Sequence, residues 1–333
     1  MLRSALDEPP VLQLDSNQSD IVLPTEPRPK LRRSGVMTHK KMCELIQQGR
    51  GMGHGRSYLP WLMLRRKNPS PNSNQAASWM PPLQRTAHYF SRGEYHTALL
   101  LLWLGVKDLR EQFPIWPIPH PHPLEGMPGM PHAQARWSRG LLTLAREAGI
   151  EHGFEFGTRL PYVAPLDLLA TVPLPKGTVL AIFSSKPIKE PNTDVRFRTL
   201  ERLELERRYS MDIGARYFVS SSALIPLSIA GRLESWLDAS TLDCAPHLIQ
   251  LRQQFVDYFN QDLERSLNET VQAVAKLLSI ELEDAWLLFR HCAWTQAVDI
   301  DPSAPILTSR PPQPGGRAWR DSLRRTLFGE TWS

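Results

Sequence analysis

The stretch PLDLLATVPLPKGTVLAIFSSKP, residues 165–187, consists of two short apolar segments around a proline-rich turn. Apolar runs of this length on either side of a Pro-Gly turn predict two antiparallel strands joined as a hairpin. An acid, Asp167, lies where the first strand begins, and a base, Lys186, lies where the second strand ends. A turn centred on Lys176 and Gly177 would place this acid and this base directly opposite each other on one face of the sheet.

Two interpretations of Asp167 and Lys186 follow from the residues. A surface ion pair at a sheet edge is common and needs no function, and spacing alone favours it. Alternatively, Asp167 and a second carboxylate hold Mg²⁺ against a phosphate oxygen, because magnesium prefers hard oxygen ligands. Glu94 is the candidate second carboxylate, in the first turn of a helix predicted to begin after Ser91 and to stop near Gly105. The lysine would then orient or deprotonate the attacking water and stabilise negative charge.

The composition restricts the class of protein. The chain has 333 residues, 41% of them hydrophobic, and a net charge of +5, which is compatible with nucleic-acid binding without requiring it. Three widely spaced cysteines (Cys43, Cys244 and Cys292) predict free thiols in a reducing compartment. The sequence has no run of eighteen apolar residues and no secretory leader pattern, so we expect a cytoplasmic protein without a membrane partner.

Composition changes along the chain predict four segments. Residues 1–40 are rich in Pro, Asp and Ser and are predicted to be a disordered arm. Residues 41–222 carry mixed helix and strand patterns, with a polar loop over 67–84. Residues 223–301 are helix-rich and end in a helix, a tight turn, a helix and the extended run QAVDI, which is the layout of a winged helix. Residues 302–333 are predicted to be a Pro/Gly linker and a basic amphipathic helix, hypothesised to tether DNA or a partner.

Three further motifs have simple structural interpretations. The glycine-rich run GRGMGHGRSYLPW (residues 49–61) follows no strand and contains Pro60, which argues against nucleotide binding. His120, His122 and His132 form a metal cluster or a proline-rich loop, and the loop is favoured because no acid or cysteine completes a ligand set. A third motif interleaves acids with arginines on one predicted helix, and ion pairs account for it (Glu201, Glu204 and Glu206).

Five motifs occur in the order in which they occur in the TnsA family, the endonuclease subunits of heteromeric transposases. After GRGMGHGRSYLPW come RTAHYFSRGE (residues 85–94), VKDLREQFP (106–114), LAREAGIEH (144–152) and RTLERLELERRY (198–209). The run from about Gly49 to Gly214 therefore resembles this family over half of the chain.

The resemblance implies an α/β fold of the restriction-endonuclease type, with a mixed sheet flanked by helices and a C-terminal winged-helix-like domain. It places the family's acidic helix residue at Glu94, its strand aspartate at Asp167 and its lysine at Lys186. The position two before the lysine, which binds metal in many nucleases of this fold, is Ser184, a weaker ligand. The backbone carbonyl of Ser185 is a further candidate metal ligand.

The implied activity is that of a metal-dependent DNA endonuclease, which hydrolyses the phosphodiester at the 5′ ends of a transposon. The implied cofactor is Mg²⁺, with Mn²⁺ as a substitute. The implied partners, in a bacterial cytoplasm, are double-stranded DNA at the transposon ends, a TnsB-type transposase and a TnsC-type AAA+ ATPase. Lys189 is a rival to Lys186, which we prefer because it directly follows the strand.

Two alternatives to this function remain open. One is a non-catalytic assembly subunit that keeps the nuclease fold, for which Ser184 is the support in the sequence. The other is a free-standing restriction-type nuclease. Because the predicted helix after residue 280 begins with acidic residues, which repel phosphates, we expect the C-terminal domain to dock protein before it binds DNA.

Overall fold

Strands are interspersed with helices up to residue 220, and the elements that the structure describes from there to residue 328 are all helices. A computed structural model describes residues 36–64, 74–129, 137–186, 196–221, 225–261 and 264–332. The strands within these ranges are β1 (Ala76–Met80), β2 (Arg85–Tyr89), β3 (Asp108–Ile115), β4 (Ala164–Leu174), β5 (Gly177–Ser185) and β6 (Arg216–Ser220). The helices are α1 (His39–Gln47), α2 (Arg92–Trp103), α3 (Leu141–Ala148), α4 (Phe197–Asp212), α5 (Leu227–Leu237), α6 (Arg252–Phe259), α7 (Leu267–Leu278), α8 (Leu282–Thr295) and α9 (Gly316–Phe328).

The main sheet is mixed and has the strand order β3-β4-β5-β6. β4 is antiparallel to both β3 and β5, whereas β6 is parallel to β5 and is reached through α4. β1 and β2 form a separate antiparallel hairpin. The predicted class, an α/β protein with a mixed sheet flanked by helices, is confirmed at this level.

Each face of the sheet is covered by its own hydrophobic core. Leu168, Ala170 and Val172 of β4 enter a core that also contains α2 and the C-terminal helices, here called the α2 core. Leu169 enters the opposite core, here called the α4 core, with Leu144 of α3 and side chains of α4. The period-2 alternation of a strand therefore serves two buried faces, which explains why β4 is apolar at nearly every position.

Beyond its exposed first residue, Arg92, helix α2 is buried around its whole circumference. Its sequence, RGEYHTALLLLW, has an apolar residue at almost every position of its second half. Such a helix lies in the interior rather than at a surface. The structure places it between the sheet and the C-terminal helices, where Leu99, Leu101 and Leu102 are all buried. Its predicted ends are confirmed, since Ser91 is the N-cap and Gly105, with φ of +82°, follows the C-terminus.

The C-terminal helix α9 is packed against the end of α2. Arg324 donates from Nε and Nη2 to the carbonyl oxygen of Leu104, at 2.9 and 2.7 Å, which places a cation at the C-terminus of α2. Trp319 packs on Trp103 with ring centroids 5.2 Å apart, and Phe328 is fully buried. The predicted amphipathic helix is thus confirmed, and its apolar face covers the protein's own core.

Several sequence predictions are corrected or stay open. The loop predicted over 67–84 is wrong at its end, because β1 forms there and pairs with β2. The apolar–polar alternation of β1 is too short to predict a strand until its partner strand is known. Residues 296–300 form turns and bends without a strand, so the wing is not confirmed. The arm prediction falls mostly on residues outside the described ranges. The boundary predicted at 222/223 stays a prediction, and helices on both sides of it share the α2 core.

The histidines and glycines of the other motifs have structural partners. His120 Nε2 lies 3.1 Å from the hydroxyl of Tyr209, and His122 Nε2 lies 2.8 Å from the carbonyl of Ile213, so both tie their loop to α4. His132 lies outside the described residues. A Cβ at Gly51, whose φ is +77°, would overlap the ring of Pro114, so this glycine permits close packing on β3. Within the described part of the chain, no helix is long and apolar enough to cross a membrane.

Replacing Phe328 by alanine should lower the free energy of unfolding by about 3 kcal/mol or more, because it removes a buried ring and leaves a cavity. Urea unfolding of the full chain measures this. Leu277→Ala is the matched control: its side chain is 61% exposed, so a change within about 0.5 kcal/mol is expected. Equal stabilities of the two variants would mean that α9 is not held on the core.

Candidate active site

Glu94, in the first turn of α2, is held by four hydrogen bonds. Ser91, the N-cap, accepts from the Glu94 backbone N–H at 3.1 Å, and its own hydroxyl donates to Glu94 Oε1 at 3.0 Å. The Phe90 N–H donates to Oε2 at 2.9 Å, and Gln112 Nε2 of β3 donates to the same oxygen at 3.2 Å. The carboxylate is only 5% exposed. Capping explains its contacts with Ser91 and Phe90, whereas the contact with β3 ties it to the sheet.

Asp167 and Lys186 meet at the open end of the β4–β5 hairpin. Asp167 Oδ2 accepts hydrogen bonds from Lys186 Nζ at 3.1 Å and from the backbone N–H of Ser185 at 2.7 Å. Both charged side chains are 15% exposed. The acid and the base therefore lie next to each other as predicted, and both side chains are largely shielded from water. Lys189 lies outside the described residues.

The register that leads to this contact differs from the prediction. Leu174 pairs with Gly177, so the turn residues are Pro175 and Lys176 rather than Lys176 and Gly177. Proline fits the second position of a type I or II turn because its φ is fixed near −65°, and glycine suits the last position. The register is displaced by two residues, an even number, so the displacement by itself moves no side chain to the other face of the sheet. Asp167 consequently stands nearest Ser184 along the ladder, and Lys186 reaches it from beyond the strand end.

Glu206 of α4 is a site residue that sequence reasoning passed over. It is 4% exposed, and its Oε2 accepts from the hydroxyl of Ser184, in a short hydrogen bond, and from the hydroxyl of Tyr217 at 3.3 Å. Arg202 Nη2 lies 3.9 Å from Oε1, which is too far for a hydrogen bond. The expected helical ion pair is therefore weak, and Glu206 points at the end of β5 instead. Its carboxylate lies beside Ser184, the position where the sequence lacks an acid.

The three carboxylates disturb one another electrostatically. Burial raises the pKa of Glu94 to about 7, and the nearby Asp167 charge adds to this rise. Burial likewise raises the pKa of Glu206, against the opposing effect of Lys186. Like charges that cannot reach water favour protonation or a bound cation. A cluster of buried acids with one lysine is a common feature of functional sites.

Two of these carboxylates leave an oxygen available to a hard cation. Among the described residues, Asp167 Oδ1 accepts no hydrogen bond, while Oδ2 is held by its two donors. Glu206 shows the same division, with Oε2 held and Oε1 facing only the distant Arg202. Within the described ranges no three acidic, histidine or cysteine side chains converge into a complete metal centre. Magnesium commonly takes only one or two protein carboxylates and completes its shell with water and phosphate, so the residues fit this ion.

The predicted ligands Ser184 and Ser185 occupy different environments. Ser184 is fully buried, and its hydroxyl donates to Glu206. Ser185 is the last residue of β5, with its N–H bonded to Asp167, and it pairs with Ser220 of β6. The structure thus places both next to the carboxylates, and their role as ligands stays a prediction.

A mixed sheet flanked by helices, with acids and a lysine at one end, is compatible with the endonuclease-like class of folds. Among known proteins, the chain is similar to TnsA, a transposition protein of transposon Tn7 from Escherichia coli, with 30% identity over 198 residues. The aligned region covers 59% of this chain and 62% of that protein, so the chain spans less than two thirds of its relative's length. No protein-family model matches the chain.

The raised pKa of Glu94 predicts a pH-dependent stability. The pKa of Glu94 is about 7 in the folded protein and 4.5 ordinarily, so folding favours the protonated carboxyl. The free energy of unfolding is therefore unaffected by this group below pH 4.5 and falls as the pH rises through 7. Glu94→Gln keeps an oxygen for the two N–H donors and carries no charge. In EDTA at pH 8 this variant should be more stable than the native chain by roughly 2 kcal/mol, with little difference at pH 4.5.

Urea unfolding at both pH values measures this difference. Glu204→Gln is the matched control, since Arg207 and Arg208 hold the pKa of Glu204 down at about 2. Its stabilising effect is present above pH 4.5 and lost as the pH falls through 2, so removing it gives no gain at pH 8. A native chain whose stability does not change between pH 4.5 and 8 would contradict a buried, proton-binding Glu94.

Proposed function

We propose that this chain is the endonuclease subunit of a transposase, which hydrolyses phosphodiester bonds at the 5′ ends of a transposon with Mg²⁺, or with Mn²⁺ in its place. Its proposed partners are double-stranded transposon-end DNA, a TnsB-type transposase and a TnsC-type ATPase. One observation carries the proposal: Glu94, Asp167 and Lys186, from three separate elements, meet at one end of the sheet. Similarity to the Tn7 protein TnsA supports the assignment to transposition.

Each residue has a role in this reaction that its contacts allow. Glu94 and Asp167 hold the cation, Asp167 through its unbonded Oδ1. When bound, Mg²⁺ supplies positive charge against the carboxylates and the phosphate that is attacked. Lys186, fixed by Asp167 Oδ2, orients the attacking water and stabilises the charge that develops on the phosphate. The water oxygen bonds to phosphorus, and the bond to the leaving deoxyribose oxygen breaks. The water gives up a proton to solvent, and the leaving oxygen takes a proton from solvent.

The charge balance of the site argues against a plain structural ion pair. An ion pair between Asp167 and Lys186 would be neutral and complete. Here the same lysine also acts electrostatically on Glu94 and Glu206, so Lys186 and the more distant Arg202 face three acids. Such an excess of buried negative charge is unfavourable for folding alone, and it is expected where a cation binds.

The C-terminal helices are proposed to dock protein partners rather than to read DNA. α8 begins after Glu281 and has Glu283 and Asp284 in its first turn. Acids at a helix N-terminus stabilise the helix but repel the phosphates that a recognition helix approaches. The proposal therefore assigns partner docking to the C-terminal helices and DNA contact to the end of the sheet where Asp167 and Lys186 lie.

Asp167→Asn should abolish nicking at the 5′ ends, with a loss of at least about a hundredfold, while DNA binding and assembly persist. The substitution keeps the shape of the side chain and removes the charge that holds the cation and the lysine. The assay combines the full chain with the transposase, the ATPase, Mg²⁺ and a plasmid that carries both transposon ends. Nicks are mapped by primer extension, and assembly is followed by co-purification.

Asp257→Asn, an exposed acid on α6, is the control and should nick like the native chain. Unchanged nicking by Asp167→Asn would reject the proposed active site. If the native chain assembles fully but cuts nothing, the non-catalytic assembly subunit becomes the better account.

Glu206→Gln should also reduce nicking, because its carboxylate supplies negative charge beside Ser184, where β5 carries no acid. We expect the nicking rate to fall about tenfold or more. The Mg²⁺ concentration needed for half-maximal nicking should rise, since amide oxygens bind this cation less strongly. Titrating Mg²⁺ in the nicking assay measures it. Glu201→Gln, on the same helix and paired with Arg198, is the matched control. Native Mg²⁺ dependence in Glu206→Gln would remove this residue from the site.

A further inference from the structure

Gln112 has a backbone conformation that is unusual within a strand, and its carbonyl oxygen accepts a hydrogen bond from the Trp61 N–H at 3.2 Å. Its φ is +49°, in the left-handed region that non-glycine residues avoid, and it lies within strand β3. Among the described residues, the other non-glycine residues with positive φ each end a helix. Ser279 and Gln296 end α7 and α8, and Gln84 ends a short 3-10 helix, Pro81–Leu83. Left-handed residues are usual at helix ends. Within a strand, such a residue persists only where its surroundings hold it, and such positions are frequent at active sites.

The conformation of Gln112 reverses the two faces of the sheet. Leu109 belongs to the α2 core, whereas Phe113, four residues on, belongs to the α4 core. Residues four apart in a regular strand share a face. The neighbouring strand changes in the same place, with Leu168 in the α2 core and Leu166 in the α4 core. The ladder pairs on either side of Gln112 bracket Asp167, so the reversal occurs at the candidate site.

The side chain of Gln112 completes the hydrogen bonding of Glu94. A carboxylate has about four lone-pair positions. Both positions on Glu94 Oε2 are used, by the Phe90 N–H and by Gln112 Nε2. One position on Oε1 is used by the Ser91 hydroxyl. Within the described contacts, a single position on Oε1 remains for a cation.

We propose that Gln112 is a positioning residue: its left-handed backbone directs its amide to Glu94 Oε2, so that Glu94 binds the catalytic cation through Oε1 alone. This inference rests on the proposed function and adds a residue to it. Gln112 itself is 3% exposed and contacts Glu94 rather than the substrate. A strained strand residue is thereby explained by the orientation of the carboxylate that it holds.

Two substitutions distinguish the contribution of the Gln112 side-chain amide from that of its backbone conformation. Gln112→Gly accepts positive φ without strain and lacks the amide, whereas Gln112→Met keeps the length and the strain and lacks the donor. Both should weaken Mn²⁺ binding to the full chain about tenfold or more, measured by calorimetry, since partners that orient a ligand contribute this much to metal affinity. Gln112→Gly should be no less stable than the native chain in urea. Raised Mg²⁺ should restore nicking in both variants.

Gln84→Gly provides the matched control. It removes a glutamine of similar backbone conformation, φ +51°, whose amide donates to Asp243 rather than to Glu94, and should bind Mn²⁺ like the native chain. Native affinity in both Gln112 variants would overturn the proposal, and so would a loss in Gln112→Met alone, which would indicate packing rather than the amide. Absence of Mn²⁺ binding by the native chain would overturn it as well.

The same measurements distinguish this inference from the proposed function. If the native chain binds Mn²⁺ and the Gln112 variants bind it weakly, while the complete transposition mixture shows no nicking, Gln112 positions a cation site and the proposed activity fails. If the native chain nicks DNA and both variants keep native affinity, the proposed activity stands and the positioning role fails.

Discussion

The burial of the Glu94 carboxylate beside Asp167 is the interaction around which the site is organised. α2 is enclosed by the sheet and by the C-terminal helices, so the side chain of Glu94 in its first turn has almost no access to water. A carboxylate in that position requires donors, and the helix N-terminus, Ser91 and Gln112 supply them. Those donors do not remove the repulsion from Asp167, and the raised pKa of Glu94 is the result.

The fold contains a second kind of buried charge, which is fully compensated. Arg85 of β2 and Glu111 of β3 form two hydrogen bonds of 2.7 Å, and Arg85 also donates to the carbonyl of Leu109. This pair is neutral, and it fixes the β1–β2 hairpin against the main sheet next to Gln112. The two kinds of buried charge differ: the Arg85–Glu111 pair holds elements together, while at the end of the β4–β5 hairpin the acids outnumber the cations beside them.

The sequence predicted the elements that depend on local interactions. Ser91 and Gly105 mark the ends of α2 because capping involves only the neighbouring turn. The apolar runs around Pro175 predicted the hairpin, and an error of two residues in the turn left Asp167 and Lys186 on the correct face. The resemblance to TnsA proteins supplied Glu94, which spacing alone would not have joined to a strand residue more than seventy positions away.

The sequence by itself determined where α2, β4, β5 and α4 form, and which charged residues stand at their ends. Only the tertiary structure decided that Glu206 points inwards and that Gln112 takes a left-handed backbone. The pattern of acids and arginines on α4 is the same whether this face of the helix is exposed to water or packs on the buried Ser184. The sequence therefore favours a helical ion pair between Arg202 and Glu206. Exclusion of water by packed helices turns such an acid into part of a site, and that exclusion depends on contacts between distant segments of the chain.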